Sequence, residues 1–322
     1  MHILIPDDYQ YASRQLREVA LLADHELTVL GDLAHEPAAD ATLARTECLV
    51  LIRERTVVDA AFLRRTPRLR LISQTGKVAR NIDLAACTAA GVAVVEGAGS
   101  PTAPAELAWL LIMAARRQLI GAIDGLRQGR WQTNIGSAVH GQTLGILGYG
   151  KIGQLLAGYG KAFGMRVLVW GSERALAAAQ ADGYQAALSR QAFFADSDVL
   201  TVHLRLAAST EHSITADDLA AMKPDALFVN TSRAELVAPG ALETALAQGR
   251  PGYAALDVFE QEPIYNPEHP LLKHPKVLCT PHLGYVERES YALYFRLAFE
   301  NVLRFAAGER AHVLNPAALP AT

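Results

Sequence analysis

Short apolar runs alternate with helix-period stretches along the whole chain. Strand-like runs lie at His2–Pro6, Leu27–Leu30, Cys48–Ile52, Leu69–Gln74 and Val92–Glu96, and again at Thr143–Gly148, Arg166–Trp170, Val199–His203, Ala226–Asn230, Tyr253–Val258 and Val277–Thr280. Between them, apolar residues recur at helical spacing in stretches such as Leu16–Leu22, Lys151–Phe163 and Gly240–Gln248. This alternation predicts an α/β protein whose parallel strands are joined by right-handed helical crossovers. No fixed-period repeat or low-complexity tract interrupts it.

Two breaks divide the pattern. Gly97-Ala98-Gly99-Ser100-Pro101-Thr102-Ala103-Pro104 is too rich in Gly and Pro to continue an element, and Thr280-Pro281-His282-Leu283-Gly284 precedes a long amphipathic stretch from Glu287 to Ala307. They predict a central domain, 101–285, inserted into an outer domain formed by 1–100 and 286–322. Each would be a doubly wound parallel sheet, Rossmann-like or flavodoxin-like, with a cleft between the two. At 322 residues the chain is long enough for two independent cores.

Composition narrows the function. A formal charge of −3 with 20% charged residues gives no basic surface for nucleic acid and no membrane-binding face. The apolar run Leu107–Ala115 is too short to span a bilayer. The start, His2 to Asp8, reads as a strand rather than a secretory leader. Cys48, Cys87 and Cys279 form no C-x-x-C and do not sit at metal-ligand spacing with His, so reduced core thiols and no metal are expected. The expectation is a soluble, cytoplasmic protein.

The most informative motif is Gly148-Tyr149-Gly150-Lys151-Ile152-Gly153. It follows the strand Thr143–Leu147, opens a helix, and leads to the strand Arg166–Trp170. In that βαβ context the glycines have separate roles. Gly148 makes the turn, Gly150 lets a pyrophosphate approach the backbone, and Gly153 lets the helix pack on the strand. The helix N-terminus then faces the phosphates with free amides. A dinucleotide is therefore predicted. The acidic residue that would bind the ribose hydroxyls of NAD is absent. Gly171 stands in its place, with Ser172, Glu173 and Arg174 beyond it. Arg174 could meet a 2′-phosphate and Glu173 could restore ribose binding, so NAD(H) and NADP(H) both remain open.

Three further motifs follow strand-like runs in the central domain: Asn230-Thr231-Ser232-Arg233, Asp257-Val258-Phe259-Glu260-Gln261-Glu262-Pro263, and Thr280-Pro281-His282-Leu283-Gly284. The carboxyl ends of parallel strands are where ligands bind, so an Arg, a Glu and a His would meet beside the coenzyme. A histidine suits proton exchange near neutral pH, a carboxylate on its other nitrogen would orient it, and an arginine would hold a carboxylate.

In the order and spacing of these motifs, over nearly its whole length, the chain resembles the D-isomer-specific 2-hydroxyacid dehydrogenases. The resemblance implies hydride transfer between a nicotinamide and C2 of a small 2-hydroxy or 2-keto acid. His282 would be the acid/base, Glu262 its partner and Arg233 the substrate anchor. It also implies coenzyme contacts from Lys151, Ile152, Thr210, the Asn230–Thr231–Ser232 backbone, Asp257 at the carboxamide, and Gly284, and a homodimer built on the apolar helix from about Ala105 to Arg117. Arg53 and the loop Gly76-Lys77-Val78-Ala79 would bind the substrate. That loop departs from the family's G-V-G-V: Lys77 adds a charge and Val78 replaces the second glycine. Tyr285 occupies a place that is commonly small. Two other readings share the motifs, a glyoxylate or hydroxypyruvate reductase within the class and a non-catalytic NAD(H)-sensing binder of corepressor type.

Overall fold

The computed structural model describes residues 1–319, in two units: Met1–Ser100 with the stretch from Glu287 onward, and Pro101–Val286. In the first, β1 (His2–Ile5), β2 (Glu26–Val29), β3 (Cys48–Leu51), β4 (Leu71–Gln74) and β5 (Ala93–Glu96) form an all-parallel sheet in the order β2-β1-β3-β4-β5. Every residue of β1, β3 and β4 is buried, as a sheet covered on both faces requires, whereas the edge strand β2 is largely not. One core is built from Leu4, Leu49, Leu51, Ile72, Val94 and neighbours. The helix Arg288–Ala306 returns to this unit and buries Tyr291, Tyr294, Phe295, Phe299 and Val302. Ser73 Oγ on β4 donates to its Ala298 carbonyl at 2.9 Å.

One expected helix is not there. Residues 12–22 form two 3₁₀ segments, Ala12–Gln15 and Arg17–Leu22, split by an extended Leu16. Leu16, Val19 and Leu22 repeat every three residues, a spacing that fits a 3₁₀ turn as well as an α-helix. The Asp8 carboxylate settles the start by accepting from the amides of Ala12 and Ser13 (3.1 and 2.8 Å).

The second unit holds β6 (Thr143–Leu147), β7 (Arg166–Trp170), β8 (Gln185–Ala186), β9 (Val199–Val202), β10 (Leu227–Asn230), β11 (Tyr253–Leu256) and β12 (Val277–Cys279), all parallel, in the order β12-β11-β10-β9-β6-β7-β8. The strand β8 is not legible in the sequence; two residues are too few for a pattern. Alternation along β10 feeds both faces: Phe228 joins a core with Phe193, Phe194, Leu200 and Met222, while Leu227 and Val229 join Ile112, Leu144, Leu156 and Val169. Truncating Phe228 to Ala would cost about 3–5 kcal/mol. The chain leaves β6 toward β7 on one side and returns as β9 on the other, so the strand order reverses at β6/β9. In open parallel sheets the carboxyl ends at such a reversal are where ligands bind.

Among the described residues no helix is long and apolar enough to cross a membrane, and no group of three or more His, Cys, Asp or Glu gathers at metal-binding distance. Cys48 and Cys87 are buried free thiols and Cys279 is partly buried.

Candidate active site

At the end of β6, Gly148 and Gly153 are required by their surroundings. Gly148 has φ +97°, and a β-carbon there would stand 2.7 Å from the His203 carbonyl oxygen. A β-carbon on Gly153 would overlap the Gly148 carbonyl, which is how the helix Lys151–Ala162 comes so close to its strand. Gly150 faces open space. The first amide in that helix's ladder belongs to Gln154, which donates to the Gly150 carbonyl at 2.9 Å. The amides of Lys151, Ile152 and Gly153 precede it and are left for an anion. A bare cradle opposite a helix N-terminus fits a dinucleotide pyrophosphate.

At the end of β7, Ser172 caps the helix Glu173–Ala181 by accepting from Ala175 N at 3.3 Å, and both Ser172 and Arg174 are exposed. A β-carbon on Gly171 would lie 3.2 Å from the Ala175 β-carbon. Thr210 Oγ1 accepts from Ala207 N (2.9 Å) and donates to the Arg205 carbonyl (2.7 Å), so it shapes its own turn.

The loops after β11 and β12 carry Glu262 and His282. These strands are hydrogen-bonded neighbours, with Leu256 opposite Cys279, so Glu262 and His282 emerge side by side. His282 Nδ1 lies 2.5 Å from Glu262 Oε2, and Glu262 Oε1 accepts from the Phe259 amide at 2.8 Å. An ionised carboxylate only accepts, so Nδ1 carries the hydrogen and Nε2 takes no part in the pair. Nε2 has no hydrogen-bond partner among the described residues. The Tyr285 ring meets the imidazole edge-to-face, centroids 5.3 Å apart.

His282 has φ +52°, a conformation that costs a non-glycine residue about 1–3 kcal/mol unless the surroundings impose it. Asp257 imposes it. Its fully buried carboxylate accepts from Thr280 Oγ1 (2.6 Å), Leu283 N (2.7 Å) and Gly284 N (2.8 Å), bracketing the histidine. Burial pushes the Asp257 carboxyl above its ordinary range, against those donors and the nearby His282. The resemblance assigns Asp257 to the carboxamide of a coenzyme; the geometry is that of a loop clamp with both oxygens engaged from within the protein. A β-carbon on Gly284 would press to 3.3 Å from that carboxylate.

Arg233 stands one strand over, after β10. Asn230 braces the turn: Oδ1 accepts from Ser232 N (3.0 Å) and Nδ2 donates to the Arg233 carbonyl (2.8 Å). Ser232 Oγ donates to Val202 O at 2.8 Å, and Arg233 Nη1 donates to Ser232 O at 2.6 Å. Thr231 Oγ1 nearby is buried with no partner among the described residues.

In the first unit, Arg53 follows β3 with φ +53°, its amide donating to Thr75 Oγ1 at 2.9 Å and its guanidinium 5.8 Å from the Tyr294 ring centroid. Arg55 is tied down by its bonds to the Asp7 carbonyl and Tyr291 Oη, both 2.8 Å. Asp7, which no motif singles out, accepts from Thr56 Oγ1 at 2.5 Å, and burial raises its carboxyl above the usual range. Lys77 and Val78 are not arranged as free substrate donors. Lys77 Nζ pairs with Glu96 Oε1 at 2.5 Å, and the Val78 amide donates to Glu96 Oε2 at 2.9 Å. Nothing in the sequence points to Glu96, since it reads as the last residue of a strand.

A parallel-sheet unit with a dinucleotide cradle at β6, matched by an NAD-binding domain, marks an NAD-binding oxidoreductase acting on an alcohol carbon. Residues 109–284 match the model of the D-isomer specific 2-hydroxyacid dehydrogenase, NAD binding domain. The chain belongs to the D-isomer specific 2-hydroxyacid dehydrogenase family. It is 38% identical over 262 residues to a glyoxylate reductase of Aeropyrum pernix, covering 78% of each chain. Among solved structures it is similar to an oxidoreductase from Ralstonia solanacearum (52% identity, TM-score 0.95, 99% of this chain and 98% of that one). It is also similar to a phosphoglycerate oxidoreductase from Vibrio cholerae O395 (51%, TM-score 0.92, 96% and 99%).

Proposed function

We propose that the chain interconverts small 2-keto and 2-hydroxy acids with His282 as the acid/base. The observation that supports this most is the 2.5 Å contact between His282 Nδ1 and Glu262 Oε2, which leaves Nε2 as the working nitrogen. A bound nicotinamide coenzyme, held at the Gly148–Gly153 cradle, would supply or accept the hydride. In reduction, His282 Nε2 gives a proton to the C2 oxygen as negative charge develops on it; in oxidation Nε2 takes that proton back. Glu262 holds the ring and the tautomer. Arg233 holds the substrate carboxylate with charge-assisted hydrogen bonds and stabilises the developing alkoxide. Arg53 and the start of the Gly76–Ala79 loop of the first unit are assigned to the substrate's carboxylate. The absence of an acid at Gly171, with Arg174 exposed beyond it, favours tolerance of NADPH.

Steady-state oxidation of NADH and NADPH with glyoxylate, hydroxypyruvate, pyruvate and phosphohydroxypyruvate tests this reading. Turnover with at least one of them is expected. Coenzyme binding without turnover on any would favour a non-catalytic sensor.

The apolar surface of the second unit supports a homodimer. The helix Thr102–Arg116 buries Ala105, Ala108, Leu111 and Ile112 against its own core but leaves Leu110 exposed. Ile120, Leu126 and Trp131 add exposed apolar area around the same groove or beside it. A patch of this kind is what a second subunit covers. Light scattering at micromolar concentration should give twice the chain mass, and a monomer there would contradict the reading.

A further inference from the structure

We propose that Glu96 is a positioning residue that sets the charge and shape of the substrate-anion loop, and thereby makes the loop read one carboxylate rather than two. The inference rests on the assignment of loop 76–79 to the substrate.

Several bonds define the loop. Glu96, the last residue of β5, accepts from Lys77 Nζ with one oxygen and from the Val78 amide with the other. Gln74, the last residue of β4, donates from Nε2 to the Lys77 carbonyl at 2.9 Å and accepts from Asn81 Nδ2 at 2.9 Å. The Gly97 amide closes the near side on the Gly76 carbonyl, also at 2.9 Å. The replacement of glycine by Val78 explains the arrangement. Its side chain packs against the core that holds Ile72 and Ile82, and the loop so anchored directs the Val78 amide to Glu96.

Glu96 therefore fills, from inside the protein, a place with one ammonium and one amide donor, the pair an incoming carboxylate would use. Two consequences follow. Val78 N–H is withdrawn from the substrate, leaving recognition to the loop amides before it and to Arg53. Lys77 adds no net charge, because an equal and opposite charge lies on it. The loop then favours small monoanionic keto acids over those with a second carboxylate or a phosphate.

The test compares wild type, Glu96→Gln, Glu96→Ala, Lys77→Met and Glu96→Gln/Lys77→Met. Glu96→Gln keeps an acceptor for Val78 N–H but frees Lys77, so kcat/KM for oxaloacetate relative to pyruvate should rise by about tenfold. Adding Lys77→Met should cancel that rise. Glu96→Ala loses the anchor and should raise KM for pyruvate about tenfold with kcat within about twofold, as expected for lost ground-state binding. Calorimetric binding of oxamate and oxalate to the coenzyme-loaded variants gives the same comparison without turnover. A wild type that binds these anions but reduces nothing would overturn the proposed activity while leaving Glu96 testable. An unchanged dianion-to-monoanion ratio in Glu96→Gln, by both readouts, would overturn the inference. So would a Glu96→Ala variant that folds like wild type with an unchanged KM and an unchanged affinity for oxamate.

Discussion

The guanidinium of Arg53 occupies the space in which a β-carbon on Gly76 would sit. Gly76 also has φ +90°, and that backbone conformation demands glycine, whereas the end of the Arg53 side chain can move aside. Gly76→Ala should lower the stability of the first unit by about 1–3 kcal/mol, the cost of a disfavoured backbone conformation, and should displace Arg53. KM for the keto acid should rise while coenzyme affinity holds. A double-mutant cycle with Arg53→Ala separates the two constraints. If Gly76→Ala costs the same with and without Arg53, the overlap contributes nothing.

The His282–Glu262 contact predicts a division of labour. His282→Ala should lower kcat by about 10² to 10⁴, the usual worth of a positioned proton donor, with the coenzyme dissociation constant unchanged. Glu262→Gln can offer its NH₂ to Nδ1 and so favour the wrong tautomer, and should approach the same loss. Stopped-flow rates of coenzyme oxidation measure both. Near-normal turnover in His282→Ala would remove it from the mechanism.

In the proposed reading, coenzyme choice turns on Gly171. Introducing Asp there supplies the carboxylate that binds ribose hydroxyls and repels a 2′-phosphate, but its β-carbon would crowd Ala175 at 3.2 Å. Gly171→Asp combined with Ala175→Gly should therefore shift kcat/KM toward NADH by about tenfold or more, ~1.4 kcal/mol. Strong preference for NADH in the wild type, unaltered by the pair, would contradict the reading of this strand end.

His203, after β9, bears on acid stability. Its Nε2 lies 2.8 Å from Thr201 Oγ1, its Nδ1 is shut off from solvent, and burial lowers its pKa from 6.5 to about 3. Below pH 6.5 the unfolded chain takes up a proton that the folded chain refuses. The stability carried by the neutral ring is thus whole above that pH and is lost as pH falls toward about 3, with a slope of at most about 1.4 kcal/mol per pH unit. Thermal midpoints between about pH 7 and pH 4 should fall more steeply in wild type than in His203→Asn. Parallel curves would show that the ring protonates in the folded protein.

What is legible in the sequence is what chemistry confines to a few neighbouring residues. Gly148 and Gly153 are dictated by a turn and by a helix packed on a strand, within one βαβ unit, and Gly150 between them faces open space. Glu262 and His282 are legible because each follows its own strand, and parallel neighbours deliver their carboxyl-end loops to one place. Glu96 is not, because its partners Lys77 and Val78 lie on another strand's loop and nothing local marks the pairing. The resemblance marks Asp257 as a ligand contact, but its clamp geometry depends on hydrogen bonds from Thr280, Leu283 and Gly284 that only folding supplies. The Leu16–Leu22 stretch misleads because a three-residue repeat satisfies two kinds of turn.

The most direct test of the account is the fate of the hydride. Reduction of glyoxylate, pyruvate or hydroxypyruvate with coenzyme deuterated at C4 of the nicotinamide should place one deuterium on C2 of the hydroxy acid, seen by mass spectrometry and proton NMR. The rate of its appearance should drop about 10²-fold or more in His282→Ala. Product whose C2 hydrogen comes from solvent, or deuterated coenzyme that binds and is never oxidised by any 2-keto acid, would contradict it.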